Sequence, residues 1–568
     1  MFSFRSLFFQ GLVLIAAAIL VIAIASSRCR GHAPKAELIL TNGSIHTMNP
    51  EQPFAEAIAI KDHRILCIGT KQQVSFFQGN HTTMIDLRGD FVCPGFNDAH
   101  TNVLGAASKE SPVDLSGTTS TRDIRTCVMP AIRDVVTNNP GGWILGAGWD
   151  QTLFPDREWP DRSLLDLVAP DVPIFLVRVC GHVALANQCA LRIAGIDADT
   201  PDPLGGEIVK DPKTGQPTGL LKETAMDLVT QYIPKPSQDD YENALKLFLE
   251  KAGRLGITSI QDQSPILSHH VLEQFLAEER LTCRVSLGFP LSDELEAAKK
   301  SRSKYTGDML RFGMLHGTVD GSLGGRTAAL IAPYDDDPGV NGLTRMSQND
   351  LNLLVLEADR EGFQIGLHAD GDRAVRMSLD AFELAGRLNP DHPRRHRIEH
   401  AQVVSPQDQP RYCHLNVTAS IQPVHCIENM RWIEYRLGTQ RCMSASAWQS
   451  LNKYHVPLAF GSDYPISPLN PMLVLYAAVT RKDTLGYPPK GWFPQECLSL
   501  EEALAAYTTG SACAEGTDNV KGSLEPGKFA DLVVLDHHLF KISPREFLDT
   551  KVKMTILGGA IVYQEEKP

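Results

Sequence analysis

Three histidines and an aspartate carry the chemistry that can be read from this chain. His100 closes Pro94-Gly95-Phe96-Asn97-Asp98-Ala99-His100, His368 lies in Gly366-Leu367-His368-Ala369-Asp370, His400 in Arg397-Ile398-Glu399-His400-Ala401, and Asp463 in Gly461-Ser462-Asp463-Tyr464. Each stands just past an apolar run. Imidazole and carboxylate are ligands for divalent transition metals, and packing explains poorly a polar side chain where a buried strand ends. Four of them, spread over most of the chain, point to one shared site. A β/α barrel collects strand ends in that way.

The intervening sequence supplies such a barrel. Strand-like runs end at His100, Asp262, Gly288, His316, His368, His400, Gln422 and Asp463, and helical stretches such as Asp240–Leu255 and Asp350–Glu361 separate them. Eight runs alternating with helices predict an α/β chain built as a (β/α)₈ TIM barrel. The first gap, from Asn102 to Gly256, is too long for one βα unit. It predicts an inserted domain over about 110–225, after barrel strand 1. Short strands and turns over 36–93 and 516–568 predict a small β-sandwich formed from both ends of the chain, with the barrel over 94–515.

Composition narrows the classes. The 568 residues carry a formal net charge of −13 with no basic run, which excludes a nucleic-acid footprint. Twelve cysteines include no C-x-x-C pair. Cys93, Cys180, Cys283 and Cys426 lie in apolar contexts and read as small buried hydrophobes. Leu7 to Ala25 is almost wholly apolar, so residues 1–35 read as a signal peptide or a single membrane anchor. The expected location is membrane-anchored or exported. His392, His396, His537 and His538 read as surface residues.

The chain resembles the amidohydrolase superfamily, and within it the branch of YtcJ-like proteins and N-substituted formamide deformylases. The resemblance runs from residue 36 to the C-terminus. It rests on Pro94-Gly95-Phe96-x-Asp98-x-His100, Gly181-His182-Val183-Ala184, Asp320 to Ala328, His368-Ala369-x-Gly371-Asp372-Arg373-Ala374, Arg397 to Gln402, Gly461-Ser462-Asp463-x-Pro465 and Gly527-Lys528-x-Ala530-Asp531-Leu532. It implies a site with two metals or one, held by His-x-His, a lysine, two histidines and an aspartate. This chain departs twice: Asn102 stands at the second His of the first motif, and His316 at the lysine. A histidine cannot form a bridging carbamate. The implied ligands are therefore His100, His316, His368, His400 and Asp463. One ion, zinc by ligand type, is preferred over two, on His316, His368 and His400 with an open position for water. Asn102 reads as a weak ligand or water-binding residue, and His182 and Arg326 as substrate-binding, with a structural ion pair weighed above substrate binding for Arg326. Glu399 points away from the site by strand alternation.

The implied reaction is hydrolysis of a non-peptide C–N bond in a small-molecule linear amide or N-substituted formamide, with Asp463 as proton shuttle. Relatives are often homodimers. The competing expectation, carried by Asn102 and His316, is a non-catalytic, membrane-tethered binding protein on the same scaffold.

Overall fold

The computed structural model describes residues 34–106, 113–264, 268–390 and 393–566. Eight parallel strands form the central sheet: β1 (Phe96–Thr101), β2 (Ile257–Asp262), β3 (Arg284–Pro290), β4 (Leu310–Thr318), β5 (Ile365–Ala369), β6 (Arg397–His400), β7 (Thr418–Ile421) and β8 (Leu458–Phe460). They pair in sequence order, each with the next. Helices cover the outside, so strands such as β2, β5 and β7 are buried along their whole length. The helix Gln238–Arg254 shows how one such cover is specified. Ser237 accepts the Asp240 N–H while the Asp240 carboxylate takes the Ser237 N–H, and Leu245, Phe248 and Leu249 are buried against the barrel. Each of these side chains contributes about 1.5–3 kcal/mol by burial.

The ring closes between β8 and β1 through loop backbone. Thr101 bridges Tyr464, Asn102 N–H donates to Tyr464 C=O (2.7 Å), and Asp463 N–H donates to His100 C=O (2.9 Å). Gly461 permits this approach: a Cβ there would lie 2.6 Å from His100 N.

After β1, residues 113–223 form a six-stranded sheet of their own. Its order is Gly206–Lys210, Pro217–Glu223, Val183–Ala186, Ile174–Arg178, Ile144–Trp149, Val113–Asp114. Trp149 and Phe154 are buried in its core rather than facing a ligand cavity, and Trp149 Nε1 donates to Leu176 C=O. The two chain ends share a sheet: Leu532–Leu535 runs antiparallel to Phe91–Pro94. That sheet and a four-stranded one, Leu38–Asp86, enclose a common core of Leu40, Ile58, Val92, Leu532 and Ile556.

Some expectations fall elsewhere. The apolar run Leu7–Ala25 and His392 lie outside the described residues. Among the described residues no helix is long and apolar enough to cross a membrane. His396 is buried rather than on the surface, with Nε2 3.0 Å from Asp359, because strand β6 begins beside it. His537 and His538 are half-buried, and His538 packs against Phe91.

Candidate metal centre

The C-terminal ends of the barrel strands gather the histidines. Ring centroids are 4.4 Å apart for His368 and His400, 4.8 Å for His100 and His400, and 6.3 Å for His100 and His316. Among the described residues, the group whose ligand atoms lie within 4.8 Å of one another is His400, His425 and Asp463. His425 lies in the helix Pro423–Asn429 that follows β7 and stacks on His400 at 6.0 Å. Its Nε2 is 3.5 Å from Asp463 Oδ2, and His100 Nε2 is 3.5 Å from Asp463 Oδ1. His316 and His368 stand outside this closest group.

Backbone strain aims these side chains. His400, Ala401 and Asp463 have φ of 68°, 43° and 58°, left-handed values uncommon for residues other than glycine. At His400 this breaks strand alternation. Arg397 and Glu399 point into the barrel by period two, and the turned backbone brings His400 to the same site. The expectation that Glu399 faces away is thereby corrected. Glu399 is fully buried, with Oε2 2.7 Å from His100 Nδ1 and Oε1 2.5 Å from Arg397 Nε. Gly366 on β5 leaves room for it: a Cβ there would lie 3.2 Å from Glu399 Oε1. Burial alone would raise the Glu399 carboxyl; the Arg397 charge and the His100 hydrogen bond reverse this and hold it well below its ordinary value. The same contact tips His100 upward, against its burial. A carboxylate on Nδ1 turns the imidazole so that Nε2 faces the cluster.

His316, His400 and His425 are poor cations. Burial, then the neighbouring His100, pushes His316 down to about 4. Burial, then His368, pushes His400 well down. Burial also lowers His425. His316 Nε2, His400 Nδ1 and His425 Nε2 are buried with no hydrogen-bond partner. Orphaned imidazole nitrogens beside a carboxylate suit a divalent metal, because neutral nitrogen lone pairs are what such an ion takes. His368 differs: its Nε2–H donates to Gly321 C=O at 3.1 Å.

A cavity of about 500 Å³ opens over His368, His400, His425 and Asp463. Arg178, Cys180 and His182 of the inserted sheet form its facing wall, and Leu323, Ile427, Trp432 and Ile466 supply apolar surface. His182 Nδ1 is 3.0 Å from Glu223 Oε2, which also pairs with Arg345 at 2.7 Å. Burial opposes the charge on His182, but Glu223 outweighs it and raises the imidazole to about 9. Cys180 is half-buried beside charged groups, not a core hydrophobe. Arg178 and His182 hold its thiol below the ordinary value in spite of burial. Asp370 also lines the cavity and is buried; burial and then Asp320 hold its carboxyl well above the usual range.

Two assigned residues have structural work instead. Asn102 Oδ1 accepts from Gly105 N–H (2.9 Å) and Ser264 Oγ (3.2 Å), which occupies the oxygen a metal or water would need. Arg326 does not line the cavity; its guanidinium forks onto Asp336 at 3.2 and 3.0 Å. Sequence reasoning missed His425. The available signal was Gln422-Pro423-x-His425 after the β7 run, where Pro423 starts a helix and so sets this imidazole one turn past the strand.

Comparisons with known proteins agree with this geometry. The model of an amidohydrolase family matches residues 83–563. The chain is 34% identical to the Arabidopsis thaliana protein LONG AFTER FAR-RED 3 (93% of this chain, 92% of that protein) and 32% identical to the putative amidohydrolase YtcJ of Bacillus subtilis (92% and 98%). It is 27% identical to an N-substituted formamide deformylase of Arthrobacter pascens (93% and 98%). The solved structure of an uncharacterized metal-dependent hydrolase from Pyrococcus horikoshii superimposes with a TM-score of 0.69 at 29% identity, over 89% of this chain and 99% of that one. Eight strands, a histidine–aspartate cluster at their ends and these relatives together show that the chain belongs to the amidohydrolase family of metal-dependent hydrolases, in the YtcJ-like branch.

Proposed function

We propose that this protein hydrolyses a non-peptide C–N bond of a small linear amide or N-substituted formamide, using one divalent ion, zinc by ligand type. The observation that carries the reading is the cluster of His400, His425 and Asp463 with its unpartnered, buried imidazole nitrogens at the floor of a substrate-sized cavity. These three residues would hold the ion, with His100 beside them on Asp463. When bound, such an ion polarises a carbonyl oxygen and acidifies water.

The protein's own groups do the rest. The Asp463 oxygens lie 3.5 Å from His100 Nε2 and from His425 Nε2; one would hold the ion, and the other would take a proton from attacking water and return it to the leaving nitrogen. His182, held by Glu223 and kept protonated by it, offers a positive N–H from the inserted-sheet wall to an oxygen that gains negative charge. Leu323, Ile427, Trp432 and Ile466 exclude water and take an apolar substituent.

The test is metal content per chain, by elemental analysis of protein purified without added metal, for wild type, His425→Ala and His316→Ala. The reading expects about one equivalent in wild type, a large loss in H425A, and turnover of N-substituted formamides that follows the metal. Full metal retention in H425A with loss in H316A would return the ligand set to His316, His368 and His400. No metal in folded wild-type protein, and none on addition, would favour the binding-protein reading.

A further inference from the structure

A second cavity lies away from the metal centre. About 660 Å³ lies at the opposite, N-terminal face of the barrel, where β3, β4, β5 and β6 begin and the loop Glu515–Lys521 crosses beneath them. Its walls are strongly basic, and its charges sort into two classes. The first class is committed. Arg284 forks onto Asp531 (2.7 and 2.9 Å), Arg394 forks onto Asp359 (2.7 and 2.9 Å), Arg395 pairs with Asp518 and Lys521 with Glu515.

The second class is Arg302 and Arg311. Arg302 donates to a backbone carbonyl, Glu361 C=O at 3.0 Å, and lies over the Phe363 ring at 4.1 Å, but among the described residues it forms no ion pair, the Glu361 carboxylate being held by Lys299 at 2.9 Å. Among the described residues the one carboxylate Arg311 reaches is Glu515, at 3.8 Å, and Glu515 is already held by Lys521 at 2.7 Å and Asn97 at 3.2 Å. The Asp308 carboxylate also lines the wall, 3.8 Å from Arg64, so Arg302 and Arg311 are the wall guanidiniums without a close carboxylate of their own, around a space large enough for a small molecule. Guanidinium presents a planar fork that matches phosphate and carboxylate oxygens, and half-buried guanidinium groups left without an anion are costly.

We propose that this cavity is a second ligand site, for a small dianion of the phosphomonoester or dicarboxylate class, read by Arg302 and Arg311. It shares no residue with the metal centre. A ligand there joins the barrel floor to the segment leading into the sandwich, since Phe529 and Val520 also line it.

The experiment is isothermal titration of the full chain with inorganic phosphate at fixed ionic strength. The proposal expects one saturable site per chain in metal-free protein, weakened at least about tenfold (1.4 kcal/mol) in Arg302→Gln/Arg311→Gln and unchanged in His425→Ala. Glycerol phosphate and malonate are then used as competitors, and displacement by one or the other identifies the class. Arg311→Gln alone removes no hydrogen bond seen in the structure, so it keeps the test open if the double variant misfolds. Absence of saturable binding, binding intact in R311Q and in the double variant, binding lost only in H425A, or no competition by either compound would overturn the proposal.

Discussion

Replacing Glu399 with Gln separates the support of the metal centre from the centre itself. Glu399 and Arg397 are both fully buried and meet at 2.5 Å. The remaining partners of Arg397 are neutral: the Gln261 side chain, the Ala99 carbonyl and Ser420 Oγ. E399Q therefore strands one positive charge in the barrel interior, at a cost of about 3–5 kcal/mol. It also removes the carboxylate on His100 Nδ1, which in comparable metal sites lowers metal affinity or activity about 10–100-fold, or about 1.4–2.8 kcal/mol. The ranking follows: the stability loss measured on metal-free protein exceeds the binding loss. Urea unfolding of metal-free wild type and E399Q gives the first quantity, and metal titration at a temperature where both are folded gives the second. A stability change within about 0.5 kcal/mol, the range of an ordinary surface substitution, would refute the buried-pair argument. An unchanged metal affinity would refute the orienting role.

Further outcomes follow from named contacts. The His182–Glu223 pair is stabilising while His182 is protonated in the fold, so its contribution is whole below the unfolded histidine value near 6.5 and is lost as pH rises through about 9. Urea midpoints for wild type should fall over that window and those of Glu223→Gln should not. Gly461→Ala places a Cβ 2.6 Å from His100 N; we expect about 1–3 kcal/mol of destabilisation and weaker metal binding, read by unfolding and metal titration. Arg326→Ala breaks the fork with Asp336 and should lower thermal stability while leaving KM for an amide substrate unchanged.

The barrel was legible because strand-like runs alternate with helical stretches from Ile257 onward, and the polar residues at the strand ends stand out. The site was legible to the level of strand ends and no finer. Which way an end residue points depends on its backbone torsions, and the left-handed turns at His400 and Asp463 leave no mark in residue type. Strand alternation therefore sent Glu399 to the wrong face. His425 escaped because it sits on a helix rather than at a strand end. The partners that hold Asn102 and Arg326, Ser264 and Asp336, could not be read from the sequence because they are ordinary polar residues of loops. The inserted sheet was visible as an excess of chain, but the Glu223 that anchors His182 lies far along it and no local pattern links the two.

The pairing of Phe91–Pro94 with Leu532–Leu535 also sets a timetable. Phe91–Pro94 leads directly into β1 and His100, yet one of its two sheet neighbours, Leu532–Leu535, is synthesised about 440 residues later. At about 5–20 residues per second the interval is on the order of tens of seconds. During that time the nascent chain presents an apolar strand with an open hydrogen-bonding edge. Chaperone occupancy on the translating ribosome should concentrate there, and chains truncated before Leu532 should be captured with that edge uncovered.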